Sequence, residues 1–183
     1  MRNGLRLAYN GNHCTQEDTL QTRMMRPYLS AAFATVLAAL AGGAALAQAT
    51  DSQVGTWKLN VAKSKYSPGP APKSATTKIE AVAAGTKIIV DQVGADGTTR
   101  HWEVTANYDG KDNPVTGNNP DADMVARTRV NANTVQTVNK KGGKVTTTQT
   151  STVSADGKTR TVTTKGVNAA GKTVNNVAVY DRQ

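Results

Sequence analysis

From residue 50 onward, the chain consists of short runs of β-branched residues interrupted by glycine-containing turn dipeptides. This region contains 18 Val and 22 Thr, but only three Ile and one Leu. β-branched side chains are restricted at χ1, which slightly disfavours helix and suits a pleated surface. The region shows no apolar stripe with the i, i+3, i+4, i+7 spacing of an amphipathic helix. The sequence therefore predicts an all-β domain.

The turn dipeptides predict the order in which the strands pair. Asp-Gly or Gly-Gly pairs occupy positions 96–97, 109–110, 142–143 and 156–157, and Ala170-Gly171 is a weaker fifth case. Glycine supplies the positive φ angles that tight hairpins require, so each pair joins consecutive antiparallel strands. The predicted strands are 54–59, 76–82, 86–93, 98–108, 123–131, 134–140, 145–153, 158–165 and 173–181, with a short one at 114–116. An antiparallel up-and-down meander of 8–10 strands is expected to close into a small β-barrel, because closure removes exposed edges.

Alternation along the strands predicts which side chains face the core. One predicted inner face consists of Trp102, Val104, Ala106 and Tyr108, with His101 pointing away. A second consists of Met124, Ala126, Thr128 and Val130. Period-two patterning with one apolar face is typical of a sheet that covers a core on one side. On this pattern Arg127 and Arg129 are expected to be exposed cations, and the threonine-lined strand at 145–153 predicts a lean core.

The residues before position 50 have the features of an export signal. Met24–Tyr28 carries a positive charge, Leu29–Ala47 is uncharged and rich in alanine, and the segment closes with Ala47-Gln48-Ala49. A basic start, an apolar middle and a small-x-small exit define a secretory signal peptide. We expect residues 24–49 to be this signal, with cleavage after Ala49. The alternative, a permanent anchor, is disfavoured because the apolar run is short for a membrane span of about 20 residues.

Cleavage would leave a mature domain at 50–183, located in the periplasm or outside the cell, with no membrane span. Residues 1–23 fit this scheme poorly, because they are polar and include Glu17 and Asp18. We expect them to be a start-site extension or disordered, with translation beginning at Met24 or Met25.

The mature region offers few groups for catalysis or metal binding. Cys14 is the only cysteine and lies upstream of the signal, which excludes a disulfide framework, a thiol nucleophile and a cysteine-based zinc site. One histidine and two glutamates follow residue 50, and no Gly-rich phosphate loop is present. The Asp- and Asn-rich stretch at 109–123 lacks the regular spacing of a calcium loop and suits turns instead. We therefore expect no enzymatic activity, no metal and no cofactor.

The mature region is moderately basic. From Thr50 onward, 18 Lys and Arg face 11 Asp and Glu, for a formal charge of +7. The charges are scattered rather than gathered in one run, which favours a solvated surface over attraction to anionic envelope polymers. No basic motif interleaved with aromatic residues is present, so nucleic-acid binding is not expected.

Both ends of the mature region resemble a known group of barrels. Gly55-Thr56-Trp57-Lys58-Leu59 resembles the opening of the calycins, the lipocalins and fatty-acid-binding proteins, whose Gly-x-Trp signature lies at the start of the first strand. The ending Val179–Gln183 resembles the closing strand of the fatty-acid-binding group. The resemblance implies a barrel in which Trp57 packs over the closed end, against Arg182 of the last strand. Both implied roles are structural.

The sequence also departs from the fatty-acid-binding group in two places. That group carries an inward, ligand-binding arginine two residues before the tyrosine of the closing strand, and here the position is Ala178. Its helical lid is replaced by the loop at 60–74, where three prolines within five residues exclude a helix. The resemblance therefore does not imply fatty-acid binding in the manner of that group. The loop is expected to lie across an open end of the barrel.

Four residues form the predicted ligand site: Arg100, Trp102, Tyr108 and Tyr180. The aromatic side chains would supply apolar and stacking surface, and Arg100 would anchor an acid or polar head, because a buried guanidinium needs an anionic partner. Alternatively, Trp102 and Tyr108 are ordinary core residues and Arg100 reaches solvent at the rim. The sequence thus predicts a monomeric, exported, lipocalin-like protein that binds a small apolar or amphipathic ligand in its interior. The alternative is a non-enzymatic envelope protein that uses its basic, threonine-rich surface.

Overall fold

A computed structural model describes residues 51–83 and 85–183. The predicted signal peptide, its cleavage site and the extension at 1–23 lie outside the described residues. The strands are β1 (Gly55–Leu59), β2 (Ser74–Val82), β3 (Gly85–Val93), β4 (Thr99–Ala106), β5 (Asp109–Gly117), β6 (Met124–Asn131), β7 (Thr134–Lys141), β8 (Lys144–Val153), β9 (Thr159–Val167) and β10 (Thr173–Arg182). Between residues 51 and 183, leaving out position 84, no helix is long and apolar enough to cross a membrane.

The ten strands form a closed antiparallel barrel. Each strand pairs with its neighbours in sequence, and β1 pairs with β10, placing Trp57 opposite Arg182. This confirms the predicted all-β meander and its closure. The short strand expected at 114–116 is part of the nine-residue β5, which pairs with both β4 and β6.

The two ends of the barrel differ. Because the strands alternate in direction, the connections after β2, β4, β6 and β8 lie at the end that holds Trp57, which we call the closed end. The connections after β1, β3, β5, β7 and β9 lie at the opposite end, which we call the mouth.

Gly97 and Gly157 adopt the positive φ angles expected of their turns, +84° and +71°. Gly110 instead lies within β5, where the register shifts between Asp109 and Asp112, so this dipeptide forms a bulge.

The closed end is organised around Trp57, which is fully buried. Its indole Nε1 donates a hydrogen bond to the backbone oxygen of Gln53 at 2.9 Å. The guanidinium carbon of Arg182 lies 4.1 Å from the centre of the indole ring, and its Nη1 donates to the backbone oxygen of Val54 at 2.8 Å. Trp57 and Arg182 therefore occupy the structural positions that the calycin resemblance implied.

The apolar core is divided into three small clusters. One consists of Trp57, Ile79 and Val153. A second consists of Leu59, Ala75, Val162 and Ala178. The third consists of Val104, Ala106, Ala122 and Val125. Alanine and valine predominate, and threonine-rich strands add little apolar volume, so the barrel keeps internal space.

The inner face of β6 is the opposite of the predicted one. Val125 and Arg127 are buried, whereas Met124 and Val130 are 40% and 59% exposed. The expectation that Arg127 is an exposed cation is therefore wrong. Both faces of this strand carry apolar residues, and a shift of one residue exchanges the two faces completely. In the barrel, the inward-facing Arg127 bonds to Thr86 and packs against Tyr108.

Candidate ligand-binding cavity

The barrel encloses a cavity of about 250 Å³ whose lining is mixed in polarity. Trp102, Val115 and Val174 contribute apolar surface, and threonine, asparagine and glutamine side chains from β7 to β9 contribute polar surface. The volume is slightly below the range of about 300–1,000 Å³ that is typical of pockets for drug-sized ligands. Since an apolar cavity of about 150 Å³ accommodates benzene, this one suits a ligand of roughly ten non-hydrogen atoms.

Arg127 projects from β6 to the wall of this cavity and is 2% exposed. Its Nη1 donates a hydrogen bond to the Thr86 hydroxyl, and its guanidinium carbon lies 4.8 Å from the centre of the Tyr108 ring. Its Nε is buried without a hydrogen-bond partner among the described residues. Burial lowers the pKa of Arg127, an effect that the nearby Tyr108 hydroxyl and Asp51 partly oppose.

Arg160 projects from β9 to the same cavity and is 8% exposed. Its Nε donates to the Ser151 hydroxyl at 2.7 Å and to Gln53 Oε1 at 3.2 Å. The guanidinium carbon lies 5.7 Å from the centre of the Tyr180 ring. Burial lowers the pKa of Arg160 to about 10, which leaves the group charged at neutral pH.

Within the part of the chain that the structure describes, neither of these buried cations is paired with a carboxylate. Among residues 51–83 and 85–183, the arginines that form ion pairs are Arg100, with Asp96, and Arg129, with Asp51. A buried charge without a counter-ion is unfavourable, and proteins normally pair it. Arg127 and Arg160 therefore place two buried positive charges on the cavity wall, whose lining also includes the carboxylate of Asp121.

The structure separates the four residues of the predicted site. Trp102 and Tyr180 line the cavity. The ring of Tyr108 lies beneath Arg127, and its hydroxyl donates to Asp51 Oδ2. Arg100 lies at the mouth, where its Nη2 is 3.3 Å from Asp96 Oδ2. The structure thus brings two of the four residues together in the cavity and places the other two on either side of it.

The residues that sequence reasoning missed are Arg160 and Gln53. Arg160 alternates with Val162 on the inner face of β9, so the period-two pattern could have placed it inside. Gln53 precedes β1, and its partners lie 98 and 107 residues further along the chain. No local pattern marks such a residue as part of a site.

A network around Asp51 lies below the cavity at the closed end. Asp51 Oδ2 accepts hydrogen bonds from the Tyr108 hydroxyl and from Arg129 Nη2, the latter at 2.6 Å, and Oδ1 accepts from the Gln53 backbone N–H. Burial by itself would raise the pKa of Asp51, but these hydrogen bonds and the charge of Arg129 outweigh it and lower the pKa. Arg129, expected to be exposed, is therefore half-buried in an ion pair.

The cavity adjoins an outer pocket at the mouth. A second, outer pocket of about 480 Å³ is lined by Pro70, Pro72 and Arg100, and it shares Gln92 and Asp121 with the inner cavity. The loop that carries the two prolines is attached to the barrel by a β-bridge between Lys65 and Val177. The loop expected across an open end therefore borders the mouth.

The described part of the chain, 51–83 and 85–183, contains no group of three or more His, Cys, Asp and Glu side chains arranged to hold a metal ion. The Asp- and Asn-rich stretch at 109–123 divides between the strand β5 and the turn that follows it. Asn119 Oδ1, for example, accepts hydrogen bonds from the backbone N–H groups of Asp121 and Ala122.

The fold and the site together define a closed, ten-stranded antiparallel β-barrel with two buried arginines on the wall of its interior cavity. Comparison with protein-family models gives no match, and comparison with curated protein sequences gives none either. Among solved structures, the chain is similar to zebrafish ileal bile acid-binding protein in complex with cholic acid. The two chains share 12% sequence identity, and the alignment covers 72% of this chain and 99% of the zebrafish chain, with a TM-score of 0.44.

Proposed function

We propose that the mature protein is an exported binding protein that carries a small, partly apolar anion inside its barrel. The observation that carries this proposal is the presence of two buried guanidinium groups, Arg127 and Arg160, on the wall of one cavity without a carboxylate partner among the described residues. The proposal that the protein is exported to the periplasm or the medium rests on the predicted signal peptide at 24–49.

The placement of the charges suggests how a ligand would lie. Arg127 bonds to Thr86 near the start of β3, and Arg160 bonds to Gln53, so both cations are held from the closed end. Val174 lies near the start of β10, at the mouth. The anionic head would therefore lie deep in the barrel, and its apolar part would extend toward the mouth along Trp102.

The expected affinity is modest. Ligand efficiency falls between about 0.3 and 1.5 kcal/mol per non-hydrogen atom, so about 0.8 kcal/mol for each of roughly ten atoms gives about 8 kcal/mol. This corresponds to a Kd of about 1 μM. Hydrogen bonds to charged groups contribute about 1.5–3 kcal/mol each, so the two arginines would supply a substantial part of it.

Two measurements test the proposal. Native mass spectrometry of the mature domain, Thr50–Gln183, purified from its own periplasm or culture medium, would detect a bound small molecule of defined mass. Calorimetric titration with octanoate and with 1-octanol, which share a chain length and differ in charge, would measure the preference for an anion. We expect octanoate to bind more tightly, and we expect Arg160→Gln to remove that preference.

The matched control is Lys165→Gln, which removes an exposed cation from the same strand. It should leave octanoate binding unchanged. Two results together would contradict the proposal: a mass equal to that of the protein alone, and equal or absent binding of both probes. They would favour the alternative of an envelope protein that binds anionic polymers, with an affinity that should fall steeply with salt.

A further inference from the structure

Gln53 lies before the first strand but is 0% exposed, and its side chain contacts Arg160, which lines the cavity. Its Nε2 donates to the backbone oxygens of Asn133 at 3.0 Å and Ser151 at 3.5 Å. Its Oε1 accepts from the Ser151 hydroxyl at 2.8 Å and from Arg160 Nε at 3.2 Å. Because backbone oxygens only accept and a guanidinium only donates, these partners determine the orientation of the amide.

We propose that Gln53 is the positioning residue that sets the charge selectivity of the cavity, an inference that rests on the proposed function. The amide oxygen holds Arg160 through Nε, the inner nitrogen of the guanidinium. Among the residues that the structure describes, Nη1 and Nη2 of Arg160 have no hydrogen-bond partner. They are thus left to face the cavity and a ligand.

The neutrality of the amide matters as much as its position. A carboxylate in place of the Gln53 amide would lie about as close to Arg160 as the present 3.2 Å and would form a buried ion pair with it. A ligand anion would then meet a neutralised pair instead of a free cation. Gln53 therefore positions the guanidinium and leaves its charge available.

The backbone of Gln53 also connects the site to the closed end of the barrel. The backbone oxygen of Gln53 accepts the indole N–H of Trp57, and its backbone N–H donates to Asp51 Oδ1. Both neighbours are parts of the closed end. The segment before β1 therefore holds Gln53 behind Arg160, one hydrogen bond away from the cavity wall.

The experiment compares Gln53→Glu with Gln136→Glu, which adds the same charge on the exposed surface of β7. The mature domain of each variant is titrated with octanoate and with 1-octanol. We expect Gln53→Glu to lower the ratio of octanoate to octanol affinity by at least tenfold, and Gln136→Glu to change it by less than twofold. A purely structural role for Gln53 would weaken binding of both probes equally and leave the ratio unchanged, which would overturn the proposal.

Gln53→Glu would also face the backbone oxygens of Asn133 and Ser151, so a second variant guards against loss of folding. Gln53→Met removes one of the two acceptors of Arg160 Nε without adding charge, and we expect the affinity ratio to fall about threefold because only Ser151 then holds that nitrogen. A ratio equal to that of the unaltered protein would contradict the inference.

A ligand-free measurement separates failure of this inference from failure of the proposed function. In the unliganded domain, the Nε–H proton of Arg160 should be protected from exchange with solvent in NMR spectra, and Gln53→Met should reduce that protection because Ser151 is then the remaining acceptor. If the unaltered protein binds neither probe, the proposed function fails, while the exchange result still decides whether Gln53 positions Arg160. If the protein prefers octanoate and the exchange is unchanged in Gln53→Met, the inference about Gln53 alone is wrong.

Discussion

Replacing Arg127 with methionine should stabilise the ligand-free barrel while it weakens binding of an anion. The guanidinium is 2% exposed, has no carboxylate partner among the described residues, and has a buried Nε without a hydrogen bond. The effective penalty for burying an ion is several kcal/mol, which we take as roughly 5 kcal/mol. Methionine is similar in length, apolar and adaptable in shape, so it removes this penalty without leaving a large void.

The contacts that the substitution removes offset part of this gain. The hydrogen bond from Arg127 to Thr86 contributes about 1.5 kcal/mol, and the cation–π contact with Tyr108 about 1–2 kcal/mol. The net expectation is a stabilisation of about 1–3 kcal/mol. For a domain of 134 residues this raises Tm by about 3–12 °C.

Urea and thermal unfolding of the ligand-free mature domain measure the change, and titration with octanoate measures binding. Octanoate affinity should fall by about 10–100-fold, the equivalent of one hydrogen bond to a charged group. The control is Arg129→Met, which breaks the ion pair with Asp51 and should destabilise the domain. If Arg127→Met destabilised the protein by more than 1 kcal/mol, the charge of Arg127 would be structurally satisfied, and the argument for a cavity that awaits an anion would be refuted.

Three further predictions concern the closed end and the cavity wall. The pKa of Asp51 is lowered on folding, so its contribution to stability is present above its unfolded pKa of about 4 and is lost as pH falls through the folded pKa. Asp51→Asn should therefore reduce the loss of unfolding free energy at acid pH, measured by urea unfolding, and an unchanged pH dependence would contradict this. Trp57→Ala should destabilise the domain by about 3–5 kcal/mol, whereas Arg182→Met, which leaves the indole in place, should destabilise it by about 0.5–2 kcal/mol. Equal losses of stability would argue against a core role for the indole. In calorimetric titration, Trp102→Ala should weaken the binding of octanoate and of 1-octanol equally, because Trp102 contributes apolar surface to the cavity wall and carries no charge. A change in the ratio of the two affinities would contradict that role.

The sequence predicted the barrel well because most strands carry their own local pattern. β8 and β9 combine β-branched residues with glycine turns, and their predicted bounds differ from the observed ones by one or two residues. β5 was predicted as a fragment because its sequence, DGKDNPVTG, contains one Val and one Thr among turn-forming residues. Its strand conformation comes from pairing with β4 and β6, which local propensity does not encode.

The candidate site was predicted less completely, for a different reason. Trp102 and Tyr180 line the cavity, whereas Tyr108, which the sequence grouped with them, does not. Arg127 was assigned to the surface because charge normally marks the outer face of a strand. Gln53 gave no signal at all, since its role depends on Ser151 and Arg160, far along the chain.

The residues that the sequence did not predict belong to the proposed site. A binding site commonly contains residues that lower the stability of the fold. A lean core of alanine, valine and threonine would tolerate apolar residues at positions 127 and 160. Such residues would make the folded domain more stable than the buried cations do. The chain instead holds two cations whose hydrogen-bond partners, Thr86, Ser151 and Gln53, are all uncharged. Natural sequences break local rules chiefly where function requires it, and a stability loss with no structural return is the expected mark of a ligand site. Among the described residues, the uncharged partners are thus the observation that best supports the proposed anionic ligand.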